Sequence, residues 1–293
     1  MIITDVGSRS GTDLYELAKR KIWNVDSSLQ WPDSCSQDQY PFAPSANLFI
    51  GFPPHDALPS CEKVKVAWQQ HGVEISTLLC GETAALILAA QILVEIPNIR
   101  DRLFLGSQVF DEARHVEFFD RYLKETVRQP YEPGAAFSSF TEELISCKSI
   151  ETRLMGCQLI IESLALAKLA QLKRDSQVPL LVSAITLILK DEARHVRFGV
   201  NYLHDVFDQL TPHERRRKTH YVIATLYRLV EDIRSYLVIG ERYGWDNKAL
   251  LNHLRRKRLS SPGLMHEAVR QLTVNLRAAG LDDTALKTLF RSA

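Results

Sequence analysis

An eight-residue stretch occurs twice in this chain with one substitution, and its chemistry limits what the chain can fold into. Asp111-Glu112-Ala113-Arg114-His115-Val116-Glu117-Phe118 recurs as Asp191-Glu192-Ala193-Arg194-His195-Val196-Arg197-Phe198. Tyr122-Leu123 and Tyr202-Leu203 follow at the same offset. A further glutamate precedes each copy at one fixed distance: Glu82 before Glu112, and Glu162 before Glu192. The flanks of that glutamate match too, with Ala85, Leu86, Ala90 and Gln91 answering Ala165, Leu166, Ala170 and Gln171. The chain therefore carries Glu-x29-Glu-x-x-His twice.

Glu82 and Glu162 each sit within an apolar stripe of helical period, where the side chain faces a core. Glu112 and His115, like Glu192 and His195, are three residues apart and share a helical face. One buried carboxylate is costly and normally protonates. Four of them with two imidazoles need cations. One Glu from each of two helices, plus Glu-x-x-His from each of two others, is the ligand plan of di-iron and di-manganese bundles. We therefore expect Glu82, Glu112, His115, Glu162, Glu192 and His195 to bind two metal ions. Oxygen-rich ligation with one imidazole per ion suits iron or manganese better than structural zinc. Asp111 and Asp191 are expected to orient the histidines, each possessing the reach to serve its own or the opposite pair. Arg114 and Arg194 are expected to neutralise those aspartates.

The remaining pattern is helical. Residues 1–59 read as a mostly irregular arm punctuated by prolines, with a short helix at about 11–23. Four helices follow at about 60–96, 99–128, 140–174 and 179–209, forming a bundle over residues 60–210. Residues 211–293 add helices packed on it. The first is expected to run from a capping box at Thr211-Pro212-His213-Glu214 to Tyr243, with shorter ones at 264–279 and 283–291. No segment alternates as a half-buried strand does, so the fold class is all-α.

A formal net charge of +1 gives no argument for nucleic acid or anionic membrane. Five cysteines without C-x-x-C spacing argue against a disulfide framework and point to a reducing cytoplasm. No secretory leader is evident at the N-terminus. The longest apolar run, from Thr83 to Ile96, is interrupted by Gln91 and Glu95 and reads as too short to cross a membrane.

On Glu82, Glu112, His115, Glu162, Glu192 and His195, residues 60–210 resemble the ferritin-like di-metal carboxylate superfamily. That group includes ferritins, the ribonucleotide reductase small subunit, acyl-carrier-protein desaturases, multicomponent monooxygenases and arylamine N-oxygenases. The resemblance implies a ferritin-like four-helix bundle and a non-haem di-iron oxygenase or oxidase. It would use dioxygen to hydroxylate, desaturate, N-oxygenate or cleave a small organic substrate. The cofactor would be two iron ions, with a manganese–iron pair as the variant. Electrons would come from a ferredoxin or flavoprotein reductase, since no nucleotide-binding glycine motif is visible. A homodimer is the assembly considered.

Alternatives are a radical-storing reductase-like subunit, and a non-enzymatic iron-storage or ligand-binding bundle. Phe119 stands where the reductases place their radical tyrosine, and Gly199 is its repeat equivalent. Ile188 stands where the arylamine N-oxygenases carry a third histidine, which counts against them. Phe119, Gly199, Tyr122 and Tyr202 are the candidate pocket residues; for the tyrosines a core role weighs more than an electron relay. Gly199 either leaves room for substrate or lets helices approach closely.

Overall fold

The computed structural model describes residues 9–33, 36–230, 232–260 and 264–281. Among these every regular element is helical, with an isolated bridge between Phe42 and Ser176. We label the helices α1 (Arg9–Arg20), α2 (Ser60–Glu95), α3 (Ile99–Tyr122), α4 (Ala135–Ser146), α5 (Ile150–Asp175) and α6 (Pro179–Asp208). They continue as α7 (Pro212–Val230), α8 (Leu237–Arg242), α9 (Asn247–Ser260) and α10 (Leu264–Ala278).

Helices α2, α3, α5 and α6 form the bundle; α2 lies along α3 and α5 along α6. Short links force these antiparallel pairings. Between α2 and α3, Ile96 is extended and the Asn98 side chain accepts from the backbone N–H of Arg100 (2.7 Å) and of Asp101 (3.3 Å), starting the next helix at once. Pro at the first position of α6 does the same for the second pair. The interior is filled by side chains such as Leu88, Ile92, Phe104, Phe198, Leu203 and Phe207, each almost wholly buried. The arm packs on the bundle: α1 lies against α3 and α6, and Ala43 N–H donates to Asp175 O at 2.8 Å.

Several expected boundaries are corrected. The helix expected over 140–174 is two helices. Cys147 is extended, and the Ser149 hydroxyl accepts from Thr152 N–H at 3.2 Å to begin α5 afresh. The helix expected to reach Tyr243 stops at Val230, and the Asp232 carboxylate turns away to accept from Ala136 N–H at 2.8 Å, capping α4. A 3-10 turn at Arg234–Tyr236 and α8 follow, ending at Gly244 with φ 65°. Helix α9 was not anticipated; its start is capped by Asp246, which accepts from Ala249 N–H at 2.7 Å. The box at Thr211 forms as read, with Glu214 N–H donating to Thr211 Oγ1 (3.3 Å) and Thr211 N–H to Glu214 (2.8 Å). The helix expected at 283–291 lies outside the described residues.

The membrane reading also changes in detail. By length and composition, Ser60–Glu95 and Ile150–Asp175 are both apolar enough to cross a membrane. They are the two bundle helices that carry Glu82 and Glu162 inward, so their hydrophobicity serves the interior of the fold.

Two turns depart from α geometry. Leu123–Val127 continues α3 as π-helix, and Met155–Ile161 forms a π segment inside α5. Such bulges re-aim the side chains that follow, and they concentrate at functional sites. The one in α5 ends at Glu162.

Candidate metal centre

The six residues of the repeated motif come together at the centre of the bundle. Glu112, His115, Glu192 and His195 are wholly inaccessible, Glu162 and Glu82 nearly so. Ligand atoms of Glu82, Glu112, His115 and Glu192 lie within 4.8 Å of one another, and so do those of Glu112, Glu162, Glu192 and His195. Glu112 and Glu192 belong to both groups and lie between them. Each histidine turns Nδ1 toward the carboxylates. His115 Nδ1 is 3.1 Å from Glu82, 3.2 Å from Glu112 and 3.1 Å from Glu192. His195 Nδ1 is 3.1 Å from Glu112, 3.3 Å from Glu192 and 3.8 Å from Glu162.

The opposite ring nitrogens face aspartates across the pseudo-repeat. His115 Nε2 lies 3.3 Å from Asp191, and His195 Nε2 lies 3.2 Å from Asp111. Each aspartate thus reaches the histidine of the other copy. A carboxylate accepting from Nε2–H fixes the tautomer that leaves the Nδ1 lone pair free for a cation. Arg194 bridges the two aspartates, at 2.9 Å from Asp111 and 2.7 Å from Asp191. Arg114 pairs with Asp111 and lies 3.3 Å from Asp191.

The electrostatics show what the cluster lacks. Burial, then the neighbouring Glu192 charge, pushes Glu82 up to about 8. Burial and the Glu192 charge also drive Glu162 well above the usual carboxylate range. Burial pushes the other two the same way, but it is outweighed: the His195 charge holds Glu112 below its ordinary value, and the close approach of Glu162 and the two histidines, near in distance but not aligned as hydrogen bonds, holds Glu192 well below. Glu82 Oε1, Glu112 Oε2, both Glu192 oxygens and His195 Nδ1 are buried without a hydrogen-bond partner. Buried polar atoms are normally paired. Protons alone leave these five atoms orphaned, whereas two divalent cations among them would engage all five. The donor set fits such a pair.

Residues outside the repeat complete the surroundings. Trp23, from the arm, donates its indole N–H to Asp191 at 2.7 Å, and its ring lies parallel to His115 with centroids 6.3 Å apart. Arg114 donates to the Trp23 carbonyl at 2.8 Å. Burial raises the Asp191 carboxyl, but the hydrogen bond and charge of His115, the Trp23 indole and the Arg194 charge outweigh it and hold it at about 2. The Gln108 amide donates to Glu112 (3.1 Å) and Glu162 (2.9 Å), and accepts from Gln158 at 2.9 Å. Gln108 sits one turn before Glu112, a signal that the sequence did hold. Nothing in the sequence links Trp23 or Gln158 to the site.

The four candidate pocket residues lie elsewhere. Phe119 packs in the apolar core against Phe118. Tyr122 is fully buried, with its hydroxyl 2.9 Å from His71 Nε2. Tyr202 is half-buried beside Phe198. Gly199 is explained by close packing: a Cβ there would fall 2.2 Å from Gln158 Cβ. Absence of a side chain at Gly199 thus admits Gln158 to the centre and leaves no space for substrate. Ile188, the repeat equivalent of Gln108, is buried among apolar side chains.

The cavity that reaches the centre opens on another side, between α2 and α5. It measures about 240 Å3 and ends on Glu82 and Glu162. Leu78, Gly81, Ala85, Phe137, Ile161 and Ala165 line its walls. Asp232, Ile233, Tyr236 and Lys257 from the C-terminal elements, with Leu48 from the arm, also line it. Its lining was illegible in the sequence because it draws on segments far apart in the chain.

Residues 11–238 match the family model described as P-aminobenzoate N-oxygenase AurF. No curated protein matches the chain. Among solved structures, an R2-like ligand-binding oxidase without metal cofactor superposes with a TM-score of 0.62 at 18% identity, covering 97% of this chain and 100% of that one. A mutant of an R2-like ligand-binding oxidase with a reconstituted Mn/Fe cofactor gives 0.61 at 18% identity, over 97% and 96%. At that identity these structures speak for the ferritin-like fold. The family match overturns the expectation that Ile188 sets the chain apart from the arylamine N-oxygenases.

Proposed function

The chain belongs to the AurF family, and from that premise we propose that it N-oxygenates a small amine-bearing substrate held in the cavity between α2 and α5. In class it is a di-metal oxidoreductase of ferritin-like fold. The observation that carries the reading is a largely apolar cavity ending on Glu82 and Glu162, two members of a six-residue Glu/His cluster with five orphaned atoms.

Glu82, Glu112 and His115 would hold one ion and Glu162, Glu192 and His195 the other, with Glu112 and Glu192 shared between them. Two iron ions, when bound, supply the reduction of dioxygen and the delivery of oxygen to the substrate. The chain's own residues supply the setting. His115 and His195 are held in the metal-binding tautomer by Asp191 and Asp111. Arg114 and Arg194 neutralise those aspartates, so four carboxylate charges remain for two divalent ions. Gln108 fixes Glu162 and Glu112, leaving Glu82 the ligand that faces the cavity without an amide partner. The apolar walls keep water from the reacting atoms and strengthen each electrostatic contact inside. Reducing equivalents would come from a ferredoxin or flavoprotein.

The test is anaerobic loading with Fe(II), metal counting, and exposure to oxygen with a panel of arylamines. About two ions per chain and an N-oxidised product are expected. Full metal content in Glu112→Ala or Glu192→Ala refutes the ligand assignment. Oxygen consumption with no N-oxidised product from any arylamine refutes the reaction.

A further inference from the structure

We propose that the outward face of α7 is the docking surface for an acidic electron-carrier protein of the ferredoxin kind. This gives the electron donor of the reading above its place on the molecule and rests on that reading. Two adjacent stripes run along the face at three- and four-residue steps: Arg216, His220, Ala224 and Tyr227, and beside them Arg217, Tyr221 and Arg228. All seven are exposed. Carboxylates are confined to the edges. Glu214 is held in the capping box with Thr211. Glu151 pairs with Lys218 at 2.8 Å, and Glu143 with Arg228 at 3.4 Å. Among the described residues, Arg216 and Arg217 have no carboxylate within ion-pair distance, and Arg217 acts on Glu214 only at longer range. The charge left uncommitted at the middle of the face is therefore positive.

Behind this face lies the metal centre. The inner side of α7 contributes Val222, Ile223 and Leu226 to the same core as Met155, Leu159 and Ile160 of the π segment in α5. That segment ends at Glu162, and Leu229, in the last turn of α7, lines the cavity together with Glu82 and Glu162. Packed helix axes lie about 8–10 Å apart. A carrier seated on α7 thus has a single helix between itself and the one that bears Glu162. Each encounter passes one electron from the carrier, which is oxidised, and two encounters return the iron pair from Fe(III) to Fe(II). The chemistry of the face selects this occupant. Arg and Tyr are the side chains that anchor protein interfaces, and uncommitted positive charge steers an acidic partner. A helix of 19 residues is about 28 Å long, which suits the small contacts of transient redox partners. The large aliphatic side chains of α7 are spent on the interior, so the face has none to insert into a bilayer. Nucleic-acid affinity rests on many phosphate contacts, which a chain of formal net charge +1 is poorly equipped to make.

The experiment is calorimetric titration of the zinc-loaded protein with an acidic plant-type ferredoxin, and with basic cytochrome c as the carrier of opposite charge. The ferredoxin should bind and the cytochrome should not. Binding should weaken at least about tenfold between about 50 mM and about 500 mM salt. The double variant Arg216→Glu with Arg217→Glu should lose at least about tenfold in affinity, with metal content and thermal midpoint unchanged. The same change of charge at exposed positions on α9, Lys248→Glu with Arg255→Glu, should leave affinity within about twofold. In the oxidised, iron-loaded protein, kept anaerobic and without any amine, reduction by ferredoxin should slow in the α7 variant while reduction by dithionite should not. If charge reversal on α7 prevents folding, Arg216→Gln with Arg217→Gln should show the same loss, severalfold in size. Absence of ferredoxin binding by the wild type overturns the proposal. So does equal weakening by the α7 and α9 variants, which would make the attraction one of overall charge. Phosphatidylglycerol vesicles or duplex DNA that bind more tightly than the ferredoxin, and are lost with Arg216 and Arg217, assign the face to another partner and overturn it too. None of these readings involves an N-oxidised product, so a failure here and a failure of the N-oxygenation test are told apart.

Discussion

Glu82→Gln should act with opposite sign on the metal-free and the metal-loaded protein. In the metal-free fold, burial and the Glu192 charge raise the Glu82 carboxyl to about 8, against 4.5 ordinarily. At pH 7 the folded chain therefore holds a proton there that the unfolded chain releases. A raised carboxylate pKa gives a contribution to stability that is complete below about pH 4.5 and is lost as pH rises toward 8. Over the interval from 4.5 to 7, the loss is at most about 3 kcal/mol, at about 1.4 kcal/mol per unit. A glutamine mimics the protonated carboxyl and never suffers this loss. The metal-free variant should thus gain up to about 3 kcal/mol at pH 7, or up to about 5 °C in Tm for a chain of this length, and nothing at pH 4.5. With metal the order reverses. Ligation at a hundredfold excess over Kd stabilises the wild type by about 2.7 kcal/mol per ion, and a glutamine surrenders much of that. Thermal unfolding followed by circular dichroism, in chelator at both pH values and with Fe(II) under anaerobic conditions, measures all of this. A variant less stable than wild type in chelator at pH 7 refutes the electrostatic argument. One that keeps the full metal-induced rise refutes the place of Glu82 among the ligands.

Three further outcomes follow from single contacts. Asp191→Asn weakens the acceptor for His115 Nε2 and for the Trp23 indole, and should lower metal affinity by about 10–100-fold while the fold survives, as read by competition with a chromogenic chelator. Gly199→Ala drives a methyl into Gln158 Cβ and should cost about 1–3 kcal/mol or more in urea unfolding, with Gln158 displaced; an unchanged midpoint would show that the two segments are not closely packed. Asp101, buried near Asp205, has its carboxyl raised by burial to about 6. Its contribution is therefore complete below about pH 4 and lost as pH rises through 6. Asp101→Asn should stabilise the protein by about 1–2 kcal/mol above pH 7 after solvent screening, and by nothing at pH 4; a gain independent of pH would contradict the assignment.

The repeat alone was enough to determine that six side chains would meet in a helical bundle. A carboxylate in an apolar stripe must protonate, pair with a cationic side chain or converge on other such groups with metal ions among them; four at one repeated spacing with two imidazoles favour the last, and helical period decides which face each residue takes. The boundaries at Asn98 and Thr211 were legible for a similar reason, since a cap is a local bond between near neighbours. What the tertiary structure decided is whatever depends on approach between distant segments. The crossing of Asp111 to His195 and of Asp191 to His115 needs the antiparallel packing of the two halves. The roles of Trp23 and Gln158 need the arm and the π segment in place, and Gly199 is intelligible only beside Gln158. The cavity shows the limit most clearly. The pocket residues expected from the repeat, Phe119, Gly199, Tyr122 and Tyr202, follow the histidines along α3 and α6, whereas the open side of the centre lies between α2 and α5. Periodicity says which face of a helix is inward; it does not say which pair of inward faces is left unfilled, because that depends on the volumes of side chains supplied by every neighbouring element.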